Sequence, residues 1–454
     1  MNTDQTFYFY MNNLIRSLFN IKVEQIESLE TVETDKGMNV YISLRKTDDE
    51  FCPFCRKKLS GNGRVLKKIN HKILADRNMT VFLRLRRLRC KDCDYSTYEK
   101  NPLAFNGFSN SILTVNQVMV DLHDPRLNYT MIAQKNNVNV NDVIKYLDSY
   151  VTIPHISLPE NLGIDEIHSD MAKRKDASYL GILTDNDYFK LIDILPSRSK
   201  WELNNFLSTY SNNERRRVKY VTIDMWSPYK EMALKWFPEC IVAVDPFYVI
   251  EHLTFDFTKV RIRIMNKMIY GSNSCYLLKH WHKLLESDDY DLNGKGKYNH
   301  VFKQVLNYGD LKKMLLEIDD ELELAYELKE SYRNFNRYST YETASRDLDV
   351  LISSFEKANI REYEEFIGIM KNWRKEIINS FIRSDITGER LSNAKSEAMN
   401  ELIKTHIRIS KGLGNFTRFR KRMLFCFNDR VFVVLTDKLT SLKREFKKKK
   451  KEEK

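Results

Sequence analysis

The chain has 454 residues, a formal net charge of +12, 42% hydrophobic residues and 12% aromatics. That length exceeds one typical core, so about two to four domains are expected, and the apolar content excludes wholesale disorder. No run approaches the ~18 consecutive apolar residues of a membrane span, while the surplus of Lys and Arg points to a polyanionic partner.

The start, MNTDQTFYFYMNNLIRSLFNI, lacks the basic stretch, apolar block and small-residue cleavage site of an export signal. The expectation is therefore a protein kept in the cytoplasm. Seven cysteines are present, four of them in two close pairs. In a reducing compartment that pattern favours metal over disulfides.

An alternating run from Met38 to Arg45 predicts a strand and leads into Cys52-Pro-Phe-Cys55. A second, from Thr80 to Arg89, ends at Cys90-Lys-Asp-Cys93. Each CxxC turns two thiolates toward one ion, and two such turns close a tetrahedral site with no open position, which suits structural Zn²⁺. The 34 residues between Cys55 and Cys90 exceed the compact ribbon spacing, but their strand-like and turn-like sequence lets the knuckles meet. His71 could substitute as a ligand, although with four cysteines at hand it reads better as a core or surface histidine. Arg84, Arg86, Arg87 and Arg89 crowd the second strand. Arg84 and Arg86 lie opposite Val81, Leu83 and Leu85, so they form either a phosphate-contacting face or an ordinary solvated one.

From about 111 to 150 the periodicity is helical. Met131-Ile-Ala133, followed by Val138 and then Val143 and Leu147, predicts two short helices around an Asn-rich turn. Asn139, Asn141, Asp142 and Lys145 would line the exposed start of the second helix, where base edges are read; an ordinary helical hairpin is the competing reading. Between 162 and 245 short apolar runs alternate with helix-length segments. Runs 179–184 and 188–195, joined by Asp185-Asn-Asp187, predict a hairpin, and the later alternation predicts α/β pairing. From about 247 to 435 the chain reads as nearly all helical. The run KREFKKKKK at 443–451 reads as a basic tail.

Asp165 interrupts the run Gly163-Ile-Asp-Glu-Ile167, and Asp224 ends the run Val218 to Asp224. A charge in an apolar strand is costly unless it is paired or binds a cation. Two such aspartates on adjacent strands, joined by Glu397 from a later helix, would make a hard oxygen cage for Mg²⁺ or Mn²⁺, and two ions there could drive phosphoryl transfer. Any one of these acids is explained as well by a strand-end Asp or a surface Glu; the set is not. Glu166, Asp170, Asp193 and Asp245 are possible substitutes. Lys404 and Arg408 follow Glu397 by seven and eleven residues and share its helical face, as phosphate holders or a solvated face. No GxxxxGK[ST] loop, GxSxG elbow or HExxH occurs.

The order of these parts resembles the ISL3 family of insertion-sequence transposases, DDE enzymes with a ribonuclease-H-like core. The most telling pieces are GIDEI at 163–167, DILPSRS at 193–199, VTIDMWSPY at 221–229, and Asn393-Ala-Lys-Ser-Glu-Ala-Met-Asn400 followed by Ile403-Lys404, Arg408 and Gly414-Asn-Phe416. The resemblance implies a multidomain α+β and α/β chain. A zinc-binding β module would occupy 1–105, a helix-turn-helix 106–155, and a catalytic domain 156–440 with an all-helical insertion at about 262–390; the basic tail would span 441–454. It implies binding of the element's terminal inverted repeats, cleavage of the double-stranded DNA ends, and attack of the freed 3′-hydroxyl on target DNA. A homodimer or higher oligomer would bring two ends together. Asp165, Asp224 and Glu397 would be the catalytic metal ligands. One departure is the Asp-x-Phe-His motif of the family, which here reads Asp245-Pro-Phe-Tyr248. Tyr248 can contact DNA by stacking but cannot become a cation as imidazole does. Two rivals fit parts of the pattern: a catalytically inactive zinc and helix-turn-helix DNA-binding regulator, and a nuclease that cuts without joining.

Overall fold

The computed structural model describes residues 15–35, 37–46, 49–71, 78–105, 108–170, 178–287, 289–410 and 414–435. The basic run at 443–451 lies outside them. By its internal contacts the chain divides into Met1–Ile156 with Leu402–Lys454, and Ser157–Glu401.

The first unit opens with a mixed sheet of β1 (Ile26–Thr34), β2 (Gly37–Leu44), β3 (Ser60–Asn70), β4 (Met79–Arg89) and β5 (Ser96–Tyr98). Its order is β1-β2-β4-β3, with β5 on the end of β4. The two alternating runs are thus β2 and β4, paired in parallel. Alternation sends Val81, Leu83 and Leu85 into a core with Val40, Ile42 and Ile69 and leaves Arg84 exposed. Three helices follow: α1 (Ile112–His123), α2 (Tyr129–Asn136) and α3 (Val140–Tyr150), then the short β6 (Val151–Thr152). Asn128 and Asn139 cap α2 and α3 by accepting from backbone N–H groups, and α2 ends at Asn137 in the left-handed region, with φ 50°.

The second unit is built on one five-stranded sheet. Strands β7 (Asn161–His168), β8 (Tyr179–Asp185) and β9 (Lys190–Leu195) form an antiparallel meander. Helices α4 (Lys200–Ser208) and α5 (Ser227–Trp236) flank β10 (Tyr220–Ile223), and β11 (Ile241–Val244) completes the order β11-β10-β7-β8-β9. Both β10 and β11 run parallel to their neighbours. All of β10 is buried, as expected of a parallel strand covered on both faces. Helix α6 (Pro246–Lys267) starts directly after β11, with Pro246 in its first turn and Asp245 as its cap.

The region after α6 corrects one expectation: it is not all helical. Between α7 (Asn273–His280) and α8 (Tyr308–Leu316) a hairpin forms from β12 (Lys297–Asn299) and β13 (Gln304–Leu306). Gly294 and Gly296 weaken helix there, and Tyr298 and Val305 favour strand. Four helices follow α8: α9 (Asp320–Tyr338), α10 (Tyr341–Ala358), α11 (Glu364–Asn372) and α12 (Arg374–Asn379). Helix α9 packs along α6, and α12 packs on β11. Arg263 of α6 clamps Glu321 of α9 and Glu362, with four N–H to O contacts of 2.6–3.1 Å.

Helix α13 (Ala394–Ser410) begins in the second unit and ends among the residues of the first. It is followed by α14 (Phe416–Phe427) and β14 (Phe432–Val433), which pairs with β6. Fully buried Arg422 of α14 donates to the carbonyls of Asp124 and Leu127 at the end of α1. Among the described residues no helix is long and apolar enough to cross a membrane.

Candidate functional site

The cysteine knuckles come together as their spacing predicts. Cys52 Sγ lies 3.3 Å from Cys93 Sγ, Cys55 Sγ 3.4 Å from Cys90 Sγ, and Cys93 Sγ 3.4 Å from Cys90 Sγ. Sulfurs bound at ~2.3 Å to one tetrahedral ion would stand about 3.8 Å apart, so the cluster is of the right size for a structural metal such as zinc. The two turns are alike: Arg56 and Asp94, each just past a second cysteine, both take positive φ, at 60° and 53°. Such strain in non-glycine residues persists where the surroundings over-determine it. Leu59, Leu88 and Tyr95 pack around the sulfurs. Buried His71 stands apart, bound to Ser111 and the Leu18 carbonyl, and is not part of the cluster.

Of the four arginines on β4, Arg86 is tied to buried Glu99 and Arg89 to Asp94, whereas Arg84 and Arg87 are exposed. Asn139 and Asn141 are exposed, the former capping α3, and Lys145 Nζ lies 4.3 Å from the Phe108 ring centroid. Lys404 and Arg408 lie in the second half of α13, Arg408 exposed.

The carboxylates gather in the second unit by strand register. Ile223 pairs with Ile164, and one further step sets Asp224 beside Asp165 on the same face of two parallel strands. Asp165 is 3% exposed. Its Oδ1 accepts from the Glu166 backbone N–H at 2.7 Å and its Oδ2 from Asn400 Nδ2 at 2.8 Å. Asn400 is one turn past Glu397, so the helix that carries Glu397 also grips Asp165. Burial, and then the negative charges of Asp224, Glu166 and Glu397, push the Asp165 carboxyl up to about 7. Burial and Glu166 push Asp224 up to about 6. Acids in this state gain most from a cation, and an all-oxygen donor set suits a hard one such as Mg²⁺ or Mn²⁺. Among the described residues, however, only the four cysteines bring three or more ligand atoms within 4.8 Å of one another, so the acids are more widely spaced than that.

Arg198, Trp226, Tyr229 and His252 join the site without having been singled out in the sequence. Arg198 pairs with Glu166 and stacks on the rings of Tyr179 and Trp226, at 4.2 and 4.4 Å. Buried Tyr229 donates from its hydroxyl to the Asp165 carbonyl at 3.5 Å. A cleft of about 220 Å³ opens beside Asp224, lined also by Arg198, Met225, Trp226, Tyr248 and His252. Burial raises the Tyr248 hydroxyl, with the charges of Asp165, Glu397 and Asp224 adding to it, so this tyrosine stays neutral. Asp245, a possible substitute ligand, is instead committed to two backbone N–H groups, those of Phe247 and Asn393. Arg198 lies in the quoted 193–199 run, but nothing in its spacing says that it meets Glu166.

No curated protein matches the chain. Residues 162–423, more than half of its length, match a family model described as a transposase, of the ISL3 type.

Proposed function

The chain belongs to the ISL3 family of transposases, and on that premise we propose that it cuts the ends of an insertion sequence and joins them to target DNA. The terminal inverted repeats and the target duplex are its substrates, and a dimer is the smallest assembly that holds two ends. The observation that carries this reading is the register of β10 on β7, which ends with Ile223 opposite Ile164, so that the next residues are Asp224 and Asp165, with Glu397 adding to the charges that raise Asp165. The strand order β11-β10-β7-β8-β9 supports a ribonuclease-H-like core. The capped pair α2 and α3, with Ala133, Val143 and Leu147 buried, supports a helix-turn-helix. The division into zinc module, helix-turn-helix, catalytic domain and basic tail is part of the same proposal.

Asp165, Asp224 and Glu397 would hold the catalytic Mg²⁺ or Mn²⁺, while Cys52, Cys55, Cys90 and Cys93 would hold Zn²⁺. Bound there, two divalent ions would activate the attacking oxygen and stabilise the leaving one. The protein's own contribution is placement. Asn400 and the Glu166 N–H fix the Asp165 oxygens. Arg198, beside Asp224 in the cleft, offers its cation to the phosphate being attacked. Tyr248 and Trp226 offer ring surface to DNA. Arg84, Arg86, Arg87, Arg89, Asn139, Asn141, Lys145, Lys404 and Arg408 are the proposed contacts away from the metals, Arg86 and Arg89 reaching DNA from their pairs with Glu99 and Asp94.

The test is a strand-transfer assay with Mg²⁺ or Mn²⁺ and a duplex bearing the element's own terminal repeat. Joined product that disappears in Asp224→Asn is the expected result. Nicking without joining would favour a simple nuclease. Specific binding with no chemistry in either protein would favour the inactive regulator.

A further inference from the structure

Gly163 of β7 pairs laterally with Thr222 of β10 on one side and Thr184 of β8 on the other. The glycine between two threonines leaves a notch in the sheet, and the start of α13 fills it. Ser396 Oγ lies 2.6 Å from Thr184 Oγ1 and donates to Asn186 Oδ1 at 3.0 Å. Asn186 Nδ2 donates to Thr222 Oγ1 at 2.6 Å and to the Ser392 carbonyl at 3.2 Å. Thr222 Oγ1 in turn donates to Asn393 Oδ1 at 3.3 Å, and the Asn393 N–H is held by Asp245. These side chains are all at most 5% exposed. A Cβ on Gly163 would collide with the Ser396 hydroxyl and lie 2.5 Å from Thr184 Oγ1 and 2.7 Å from Asn186 Nδ2.

Gly163 and Asp165, like Thr222 and Asp224, are two residues apart on one strand or its continuation and so face the same way. Ser396 immediately precedes Glu397. Resting on the reading of Asp165, Asp224 and Glu397 as metal ligands, we propose that this buried socket is a positioning device that fixes the register of Glu397 against the two aspartates. Gly163, Thr184, Asn186, Thr222, Asn393 and Ser396 are its parts. A helix anchored only by apolar contacts could rotate or slide by fractions of a turn. These buried hydrogen bonds leave one socket atom, Asn393 Nδ2, without a partner among the described residues, and a shift of register would leave the hydroxyls of Ser396, Thr184 and Thr222 and the amide of Asn186 unpaired as well.

The experiment measures Mn²⁺ affinity by electron paramagnetic resonance on the intact, zinc-loaded chain without DNA, together with the melting temperature. Wild type is compared with Asp224→Asn, Thr222→Val, Gly163→Ala, Ser396→Ala and Gly163→Ala/Ser396→Ala. The expected result is Mn²⁺ binding lost in Asp224→Asn and weakened about tenfold or more in Thr222→Val and Gly163→Ala, the usual effect of removing support from a ligand. The double variant should bind better than Gly163→Ala, since removing the Ser396 hydroxyl clears the worst collision. Should Gly163→Ala fail to fold, Thr222→Val, which keeps the side chain's shape, carries the test. A lower melting temperature with Mn²⁺ affinity within about threefold of wild type would overturn the positioning role and leave the metal reading standing. Undiminished binding in Asp224→Asn would overturn the metal reading and the socket's purpose with it.

Discussion

At His406 the ring is buried, with Nδ1 2.7 Å from the Pro125 carbonyl. A carbonyl only accepts, so Nδ1 carries the proton, and burial lowers the ring's pKa to about 4 from an ordinary 6.5. Because the folded value is depressed, the stability from burying a neutral ring is present above about pH 6.5 and is lost as pH falls through about 4. The full loss is roughly 3 kcal/mol. His406→Asn, which keeps a donor for the carbonyl, should flatten that part of the acid response. Denaturant unfolding at about pH 7 and about pH 4.5 checks this, and an unchanged difference between the two would count against it. Buried His71 shifts in the same direction and would remain as background. The sequence marks Asp165 and Asp224 because each breaks an apolar run. It does not mark Asn186, which reads as the middle of an exposed hairpin turn and is in fact 5% exposed.

Among the elements, the two knuckles illustrate what short spacing can tell. CxxC sets both sulfurs on one turn, so their mutual approach across 34 intervening residues was the only open question. The pairing of β3 with β4 answers it by carrying Leu59 and Leu88 together beneath the cysteines. The purified chain should hold one zinc per molecule, released by a strong chelator with loss of its cooperative melt, and Cys90→Ser should lose both. Purified protein that holds no zinc yet melts cooperatively, or that keeps its cooperative melt after chelation, would dismiss the site. Periodicity also located α2 and α3, whose apolar positions recur at helical spacing. It passed over the β12–β13 hairpin, where three-residue strands are too short to show an alternation.

For the molecule as a whole, the net charge of +12 bears on how it meets its substrate. Binding that neutralises phosphates releases counterions, so affinity for a repeat-bearing duplex should fall steeply with salt, by at least about tenfold between roughly 50 and 200 mM. A flat response in a fluorescence-anisotropy titration would mean that the surplus of lysine and arginine is not a phosphate footprint. Part of that surplus is in any case neutralised within the fold, as by Glu99 at Arg86 and by Glu321 and Glu362 at Arg263.

Sequence by itself determined the cysteine knuckles, most strands and helices, and the family, because these rest on local spacing and on ordered motifs that survive without knowing the fold. Only the tertiary structure decided which polar residues meet. Strand order placed Asp224 level with Asp165, and the notch at Gly163 admitted the start of α13. The meeting of Arg198 with Glu166, and of Asn400 with Asp165, likewise joins residues 32 and 235 positions apart. Such pairings are set by how the sheet and its helices pack, a property of the closed chain that no local pattern encodes.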